Sequence, residues 1–356
     1  MASSSPRLLL LILLSAGGLQ AQAVRGRLVD SETTLPVVGA LVSLQSTDGT
    51  RIAQAVSSGS GRFVLRAPVA GSYQLRVLRI GYQPHDMAVR LTDGDSREET
   101  ISLSGLPVAL PEIEVAGVSK CGARARGDTL SSALWTQAGI ALAITSQTVR
   151  SRSLRFETVE EERQINRVGE ITTPSGKNQL SISSWPVRSP PMDSLLISGF
   201  IENIEDLQVG PTWYGPDPEF LLSEPFFAGH CFRTVPPAAG VAAGWVGLAF
   251  EPAETDRRAD IRGTLWLDRL SGQLRRLEFE YTRLPSWARG ADAGGTLSFA
   301  PLPEGGWIVQ HWLLRAPVPE VLIGSTRARM IGTRESGGRV VAVLDSQGKV
   351  LQRYPD

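Results

Sequence analysis

Three histidines, two cysteines, a run of glutamates and one serine-rich turn are the residues whose chemistry must be weighed first. The histidines stand in His85-Asp-Met, His230-Cys-Phe and His311-Trp-Leu. Hydrolysis on zinc requires two histidines and a carboxylate as ligands, with an acidic general base beside them. No His-x-x-Glu or His-x-x-x-His spacing exists here. His230 beside Cys231 has the residue types of a nucleophilic pair or a metal corner. Neighbours along a strand point to opposite faces, so structural roles are expected for both. Ser57-Ser-Gly-Ser-Gly61 lacks the first glycine of a Gly-x-Ser-x-Gly elbow and is followed by no helical pattern, so it reads as a turn. Glu157, Glu160, Glu161 and Glu162 lie almost consecutively with no histidine nearby, the pattern of a solvated face. Phosphate-binding and dinucleotide-binding glycine motifs are absent. The expectation is a protein with no catalytic residue, no metal and no cofactor.

Tryptophan is the remaining hint. Of 8 tryptophans, most lie late in the chain. Trp245, Trp266, Trp307 and Trp312 are the candidates to line an apolar or sugar-binding concavity, against the plainer role of strand packing. Cys121 and Cys231 admit one intramolecular pairing, and an oxidising compartment favours it over two buried thiols. That disulfide would close a loop of about 110 residues and contribute about 4–5 kcal/mol in a chain-entropy account.

The compartment is legible at the N-terminus. Arg7, an apolar run from Leu8 to Leu14 and the small-x-small sequence Ala21-Gln22-Ala23 form a signal-peptide pattern over residues 1–23. The run is too short to span ~30 Å of hydrocarbon. The protein is thus expected to be exported, whether periplasmic, outer-membrane-associated or secreted, with no transmembrane segment after cleavage. Lys+Arg and Asp+Glu both number 36, so no long-range field favours nucleic acid as a partner. With 36 glycines, 23 prolines and 6% aromatic residues, the composition suits a turn-rich β protein.

Residues 24–105 show about seven short period-2 runs between turn residues, the pattern of a small antiparallel sandwich. Gly26-Arg-Leu-Val-Asp30, Pro36-Val-Val-Gly39-Ala40, Gly61-Arg-Phe63, Gly71-Ser-Tyr73-Gln-Leu75-Arg-Val77 and Gly81-Tyr82 follow one another. This order resembles the carboxypeptidase regulatory-like domain, a transthyretin-like β-sandwich. Ser58 stands where that family often carries an aspartate, which shortens the turn's side-chain acceptor. The resemblance implies a sandwich attached to many kinds of exported protein and says little about activity.

Beyond a proline-bounded linker at 106–117, residues 118–356 read as a β-rich domain with one long helix near 129–146, capped by Asp128. Leu130, Leu134, Ala138 and Ala141 form its stripe, widened by Trp135 and Leu142, and should pack on a sheet. Pro218 behind Asp217 marks a short second helix. Three hairpins are expected, turning at Arg269–Gln273, Pro303–Gly306 and Ser336–Gly338. Residues 263–279 resemble strands of periplasmic lipoprotein-carrier half-barrels. The fold class is therefore mainly β: an N-terminal seven-stranded antiparallel β-sandwich followed by a curved antiparallel β-sheet domain with one long helix. The expected function is an exported, non-enzymatic interaction or spacer protein with an unknown protein, carbohydrate or lipid partner. A carrier of a lipid-like or carbohydrate ligand is the alternative, and a hydrolase the second.

Overall fold

The protein was analysed as a computed structural model, which describes residues 22–105, 129–151, 154–183, 185, 187, 189–203, 210–237, 240–253, 258–303, 305–321 and 328–355. The leader up to residue 21, the linker, Cys121 and the Asp128 cap lie outside the described residues. The chain is mainly β, with the strands of the sandwich where the alternation places them.

The sandwich packs two sheets. One has the order β4-β1-β7, from β1 (Gln22–Asp30), β4 (Arg62–Ala67) and β7 (Ser96–Leu103). The other runs β3-β2-β5-β6, from β2 (Leu41–Ser46), β3 (Arg51–Val56), β5 (Gly71–Leu78) and β6 (His85–Leu91). β1 and β7 run parallel, and every other pairing in the sandwich is antiparallel. Phe63, Tyr73, Leu75 and Val77 fill the space between the sheets. Several motif residues have a visible purpose. The Tyr82 hydroxyl donates to Asp30 Oδ2 at 3.0 Å, tying the end of β1 to the corner after β5. Backbone N–H donation from Thr33, followed by its hydroxyl, holds the Asp30 carboxyl at about 2. Ser58 still closes its turn, because its hydroxyl accepts from Arg62 N at 3.2 Å.

The C-terminal domain is one large antiparallel sheet of order β12-β13-β14-β15-β16-β17-β18-β8-β9, with β19 also on β18. Its strands are β8 (Leu154–Asn166), β9 (Ile171–Ser181), β12 (His230–Val235), β13 (Trp245–Pro252), β14 (Ile261–Asp268) and β15 (Leu274–Tyr281), while β10 (Ile201–Glu202) and β11 (Thr212–Trp213) form a separate two-stranded sheet. β16 (Gly294–Pro301), β17 (Trp307–Val321), β18 (Ala328–Asp345) and β19 (Val350–Arg353) complete it. The register sets Thr234, Leu248, Leu265, Leu277, Leu297 and Trp312 opposite one another, strand by strand, on one face. This row receives the long helix α1 (Thr129–Arg150). At the row's first strand the Ser131 and Thr234 hydroxyls meet at 3.0 Å.

α1 runs one turn longer than its expected end at 146, and its surroundings differ from those of a helix lying on a sheet. Leu134, Ala138, Ala141 and Leu142 are buried as their stripe predicts, but so are Gln137, Ile140, Ile144 and Thr145. A helix buried nearly all round must be covered on two sides. The second cover is the sandwich: Leu41, Val56, Leu78 and Ile80 belong to the α1 core and not to their own. Polar contacts fix the docking. Gly81 N donates to Gln137 Oε1 at 2.8 Å, and Gln147 Nε2 donates to Gln54 O at 3.3 Å. Gly39 and Gly305, both at positive φ, touch backbone to backbone, and a Cβ on Gly305 would lie 2.8 Å from Gly39 Cα. The sandwich is built into the molecule.

The expected third hairpin is a correction. Gly337 and Gly338 sit inside β18, a single strand of 18 residues, and neither has a positive φ. They are there for space: a Cβ on Gly338 would lie 2.6 Å from the Trp312 ring. β9 runs Ile171–Ser181 along the sheet edge. Pro317 and Pro319 are tolerated in β17 because β16 pairs only as far as Arg315, leaving one side of the strand open. Among the described residues, no helix is long and apolar enough to cross a membrane.

Because Leu41 serves the α1 core, Leu41→Ala should lower the stability of the full chain by about 2–5 kcal/mol. The same change in an isolated sandwich, where Leu41 faces water, should cost less than about 1 kcal/mol. Chemical denaturation of both forms measures the difference. Equal losses would show the docking to be energetically idle.

Candidate functional site

Short elements position the first candidate, His230. After the short helix α2 (Met192–Ser198), Asp217 caps α3 (Pro218–Leu221), its carboxylate accepting from Phe220 N at 2.8 Å as the Asp-Pro pair predicts. Ser223 caps α4 (Glu224–Gly229) in the same way, with Phe226 N at 3.2 Å. α4 delivers the chain into β12, so the His230 ring lands among Phe220, Phe226 and Phe250. There Nδ1 faces Phe226 O at 3.0 Å and Nε2 faces Ile261 O at 3.3 Å. Asp260 Oδ1 is 3.5 Å from Nε2. Both ring nitrogens lie against carbonyl oxygens of the fold, to one of which the neutral ring donates its single N–H, so neither nitrogen is open toward a metal or a substrate. The ring lines a pocket of about 360 Å3 with Asp260, Arg258 and Thr282, yet its chemistry is consumed by the fold.

Cys231 points to the opposite face of β12, opposite Glu251. No free cysteine occurs among the described residues, and Cys121 lies outside them. His311 sits on β17, five strands away from β12 in the sheet order, on the order of 20 Å at the usual strand spacing. His85 opens β6, at the edge of its sheet opposite to β3, across from Val77. The three histidines form no cluster, and no group of three His, Cys, Asp or Glu able to hold a metal occurs among the described residues.

The four tryptophans divide between the two faces of the sheet. Trp307 is buried in the α1 core, and Trp312 packs between that core and a smaller one around Phe156 and Ile308. Trp266 lies on the other face over Gly247, where a Cβ would come within 2.7 Å of the indole. Its Nε1 donates to Glu278 Oε2 at 2.9 Å. Trp245 is capped by the Arg276 guanidinium, 5.4 Å from the ring centroid. The structure does not bring them to one concavity.

The outer face of the sheet, away from α1, carries the arrangement that spacing alone did not reveal. Register places Arg262, Glu280, Arg315, Glu335 and Arg163 along one cross-strand line, interrupted only by Gly294. Arg262 meets Glu280 at 2.8 Å and Arg163 meets Glu335 at 2.6 Å. Opposite charges placed across strands stabilise each other, each pair contributing about 0.2–1 kcal/mol. A neighbouring line has the small residues Ala249, Thr264 and Thr296, forming the floor of a polar trough of about 630 Å3. The glutamates of β8 follow the same logic: Glu162 pairs with Arg334 and Glu157 with Arg353, while Glu160 accepts from Gln179.

His311 lies on this outer face, between Ser298 and Arg339. The ring is solvent-exposed, yet partial desolvation by its neighbours, with the Arg339 charge behind it, holds its pKa below the ordinary 6.5. As pH falls the unfolded chain takes up this proton first, so the group's stabilising contribution is present above 6.5 and fades below it. Thermal melts of the native protein should therefore drop between about pH 7 and pH 5, and His311→Gln should flatten that decline. An unchanged profile in the variant would remove His311 as the cause.

No curated protein matches the sequence. Among solved structures, the group B streptococcus pilus 2b backbone protein matches at 14% identity and TM-score 0.22, over 24% of this chain and 41% of that one. Klebsiella pneumoniae 5-hydroxyisourate hydrolase matches at 18% identity and TM-score 0.20, over 24% of this chain and 90% of that one. A protein of unknown function from Bacteroides fragilis matches at 11% identity and TM-score 0.19, over 90% of this chain and 97% of that one. Similarities this low carry no argument about activity. The sequence family is more specific: residues 23–104 match the carboxypeptidase regulatory-like domain, and the N-terminal sandwich is a domain of that family.

Proposed function

We propose that the chain is an exported, non-enzymatic interaction protein, in which the regulatory-like sandwich and the C-terminal sheet act as one rigid unit. The observation that carries this reading is His230. Among the described residues it lines a pocket with a carboxylate beside it, and both of its nitrogens lie against carbonyl oxygens of the fold. The carrier alternative draws on the half-barrel resemblance and on the tryptophans. α1 occupies the apolar face a lipid would need, and Leu248, Leu265, Leu277 and Leu297 on that face are at most 1% exposed. Trp307 and Trp312 serve the same packing.

Native mass spectrometry of the protein from its own host tests the reading. The expected species is the polypeptide with no bound metal or small organic molecule. A stoichiometric metal or cofactor would overturn the non-enzymatic reading, and a bound lipid or sugar would put the carrier in its place.

Export would leave a mature N-terminus at or near the start of β1. β1 begins at Gln22, which is buried and pairs with Ala67, and Ala23 N donates to Asp95 O at 2.9 Å. Cleavage after Ala21 preserves this strand, whereas cleavage after Ala23 removes its first two residues. The intact mass of the mature protein should show the leader removed, with a start at Gln22 or Val24 telling the two cuts apart, and with Cys121 and Cys231 joined and unreactive to alkylation until reduced. A mass retaining the leader would sink export, and two free thiols would sink the bridge.

A further inference from the structure

The sandwich and the C-terminal domain enclose a slot of about 470 Å3, within the ~300–1,000 Å3 of ordinary ligand pockets. One wall is β3, the edge strand of its sheet. The other is built from Leu302 in the β16–β17 turn, Val343 on β18, and Leu351 and Gln352 on β19. The end of α1 closes the floor with Gln147 and Thr148.

The direction of the β3 backbone follows from its register. Val42 lies opposite Ala55 and Ser43 opposite Gln54, and Ser57 N donates to Ala40 O at 2.8 Å. Antiparallel pairs alternate between bonded and unbonded. Ala53 and Ala55 therefore bond β2, while the N–H and C=O groups of Gln54 and Val56 point away from it, toward the slot. Gln147 uses Gln54 O. The opposite wall offers an apolar side chain, Leu351, at 37% exposure. It also offers Gln352 Oε1, a buried acceptor with no hydrogen-bond partner. Buried acceptors in native folds are mostly paired with protein or water, so this one is open to a donor that enters the slot.

Other edges are guarded. β9 carries Pro174 and Lys177 and β6 carries Asp86 and Arg90, devices that discourage strand addition. The stretch Ile52-Ala-Gln-Ala-Val56 carries neither charge nor proline. We propose that the slot receives an extended peptide segment of a protein partner. The segment pairs with Gln54–Val56 over about three residues, or ~10 Å, donates one N–H to Gln352 and lays an apolar side chain on Leu351. This deepens the interaction reading, on which it rests, by naming the chemistry of the partner.

The test uses the full chain. A phage-displayed library of linear heptapeptides is selected on the immobilised protein, and the winners are resynthesised for hydrogen–deuterium exchange and affinity measurements. Selected peptides should slow exchange at Gln54 and Val56 at least tenfold. Peptides N-methylated at alternate amides should bind at least tenfold more weakly, as should the parent peptide to Gln352→Ala or Leu351→Ser. Both variants alter partly exposed positions, and melting temperatures will show that they fold. Protection on another surface, or N-methylated peptides that bind as well as the parent, overturns the slot while leaving the interaction reading standing. Failure to select any peptide also overturns the slot, and native mass spectrometry judges the broader reading separately.

Discussion

Burial of α1 on two sides is the constraint from which most of this architecture follows. One side meets a cross-strand row of leucines and Trp312 on the large sheet, and the other meets the outer face of the sandwich. β2 consequently has no solvent face: Leu41 and Ser43 are as buried as Val42 and Leu44. An attached module would keep its own polar exterior. Here the exterior sheet face is part of a shared core, and removing either partner would expose an apolar helix to water.

Close approach of backbones sets the finer geometry. Gly39 meets Gly305 at the docking surface, Gly247 makes room for Trp266, and Gly338 makes room for Trp312. In each case a Cβ would collide with its neighbour, so these glycines are volume requirements. Large aromatic rings can then lie flat on strands and fill space that branched aliphatic residues would leave open. The aromatic residues expected to face a ligand are largely spent in this way.

Polar groups divide by face. The outer face satisfies its charges across strands, so the absence of net charge in the composition is repeated locally as alternating arginine and glutamate. Buried polar groups lean on the backbone: the His230 ring lies between two carbonyls, Gln137 accepts from Gly81, and Ser57 bonds Val37 and Ala40. Gln352 Oε1, like Gln22 Oε1 and the Tyr354 hydroxyl, has no such partner, and it lies where an edge strand turns backbone groups into a cavity.

Much of the fold was legible in residue order, and for local reasons. Alternation in Phe63–Leu65 and Tyr73–Val77 needs only the period of a strand, the Asp217-Pro218 cap only a helix's free N–H groups, and the Arg269–Gln273 turn only adjacent residues. The Ser336–Gly338 turn failed because glycine has two meanings. It permits a turn, and it also permits a ring to lie on a strand, and only the position of Trp312 on a neighbouring strand decides between them. The His230–Asp260 approach, the charged line on the outer face and the slot beside β3 were likewise illegible, since each joins residues brought together by register or docking. The sequence by itself determined the sandwich, its family likeness and the strand-and-helix grammar of the remainder, because those signals are short-range. Tertiary structure alone decided that the sandwich shares a core with α1, that the tryptophans part to opposite faces, and that one edge strand faces a cavity. Those outcomes depend on which faces meet, and a chain of residues read in order does not specify its own neighbours in space.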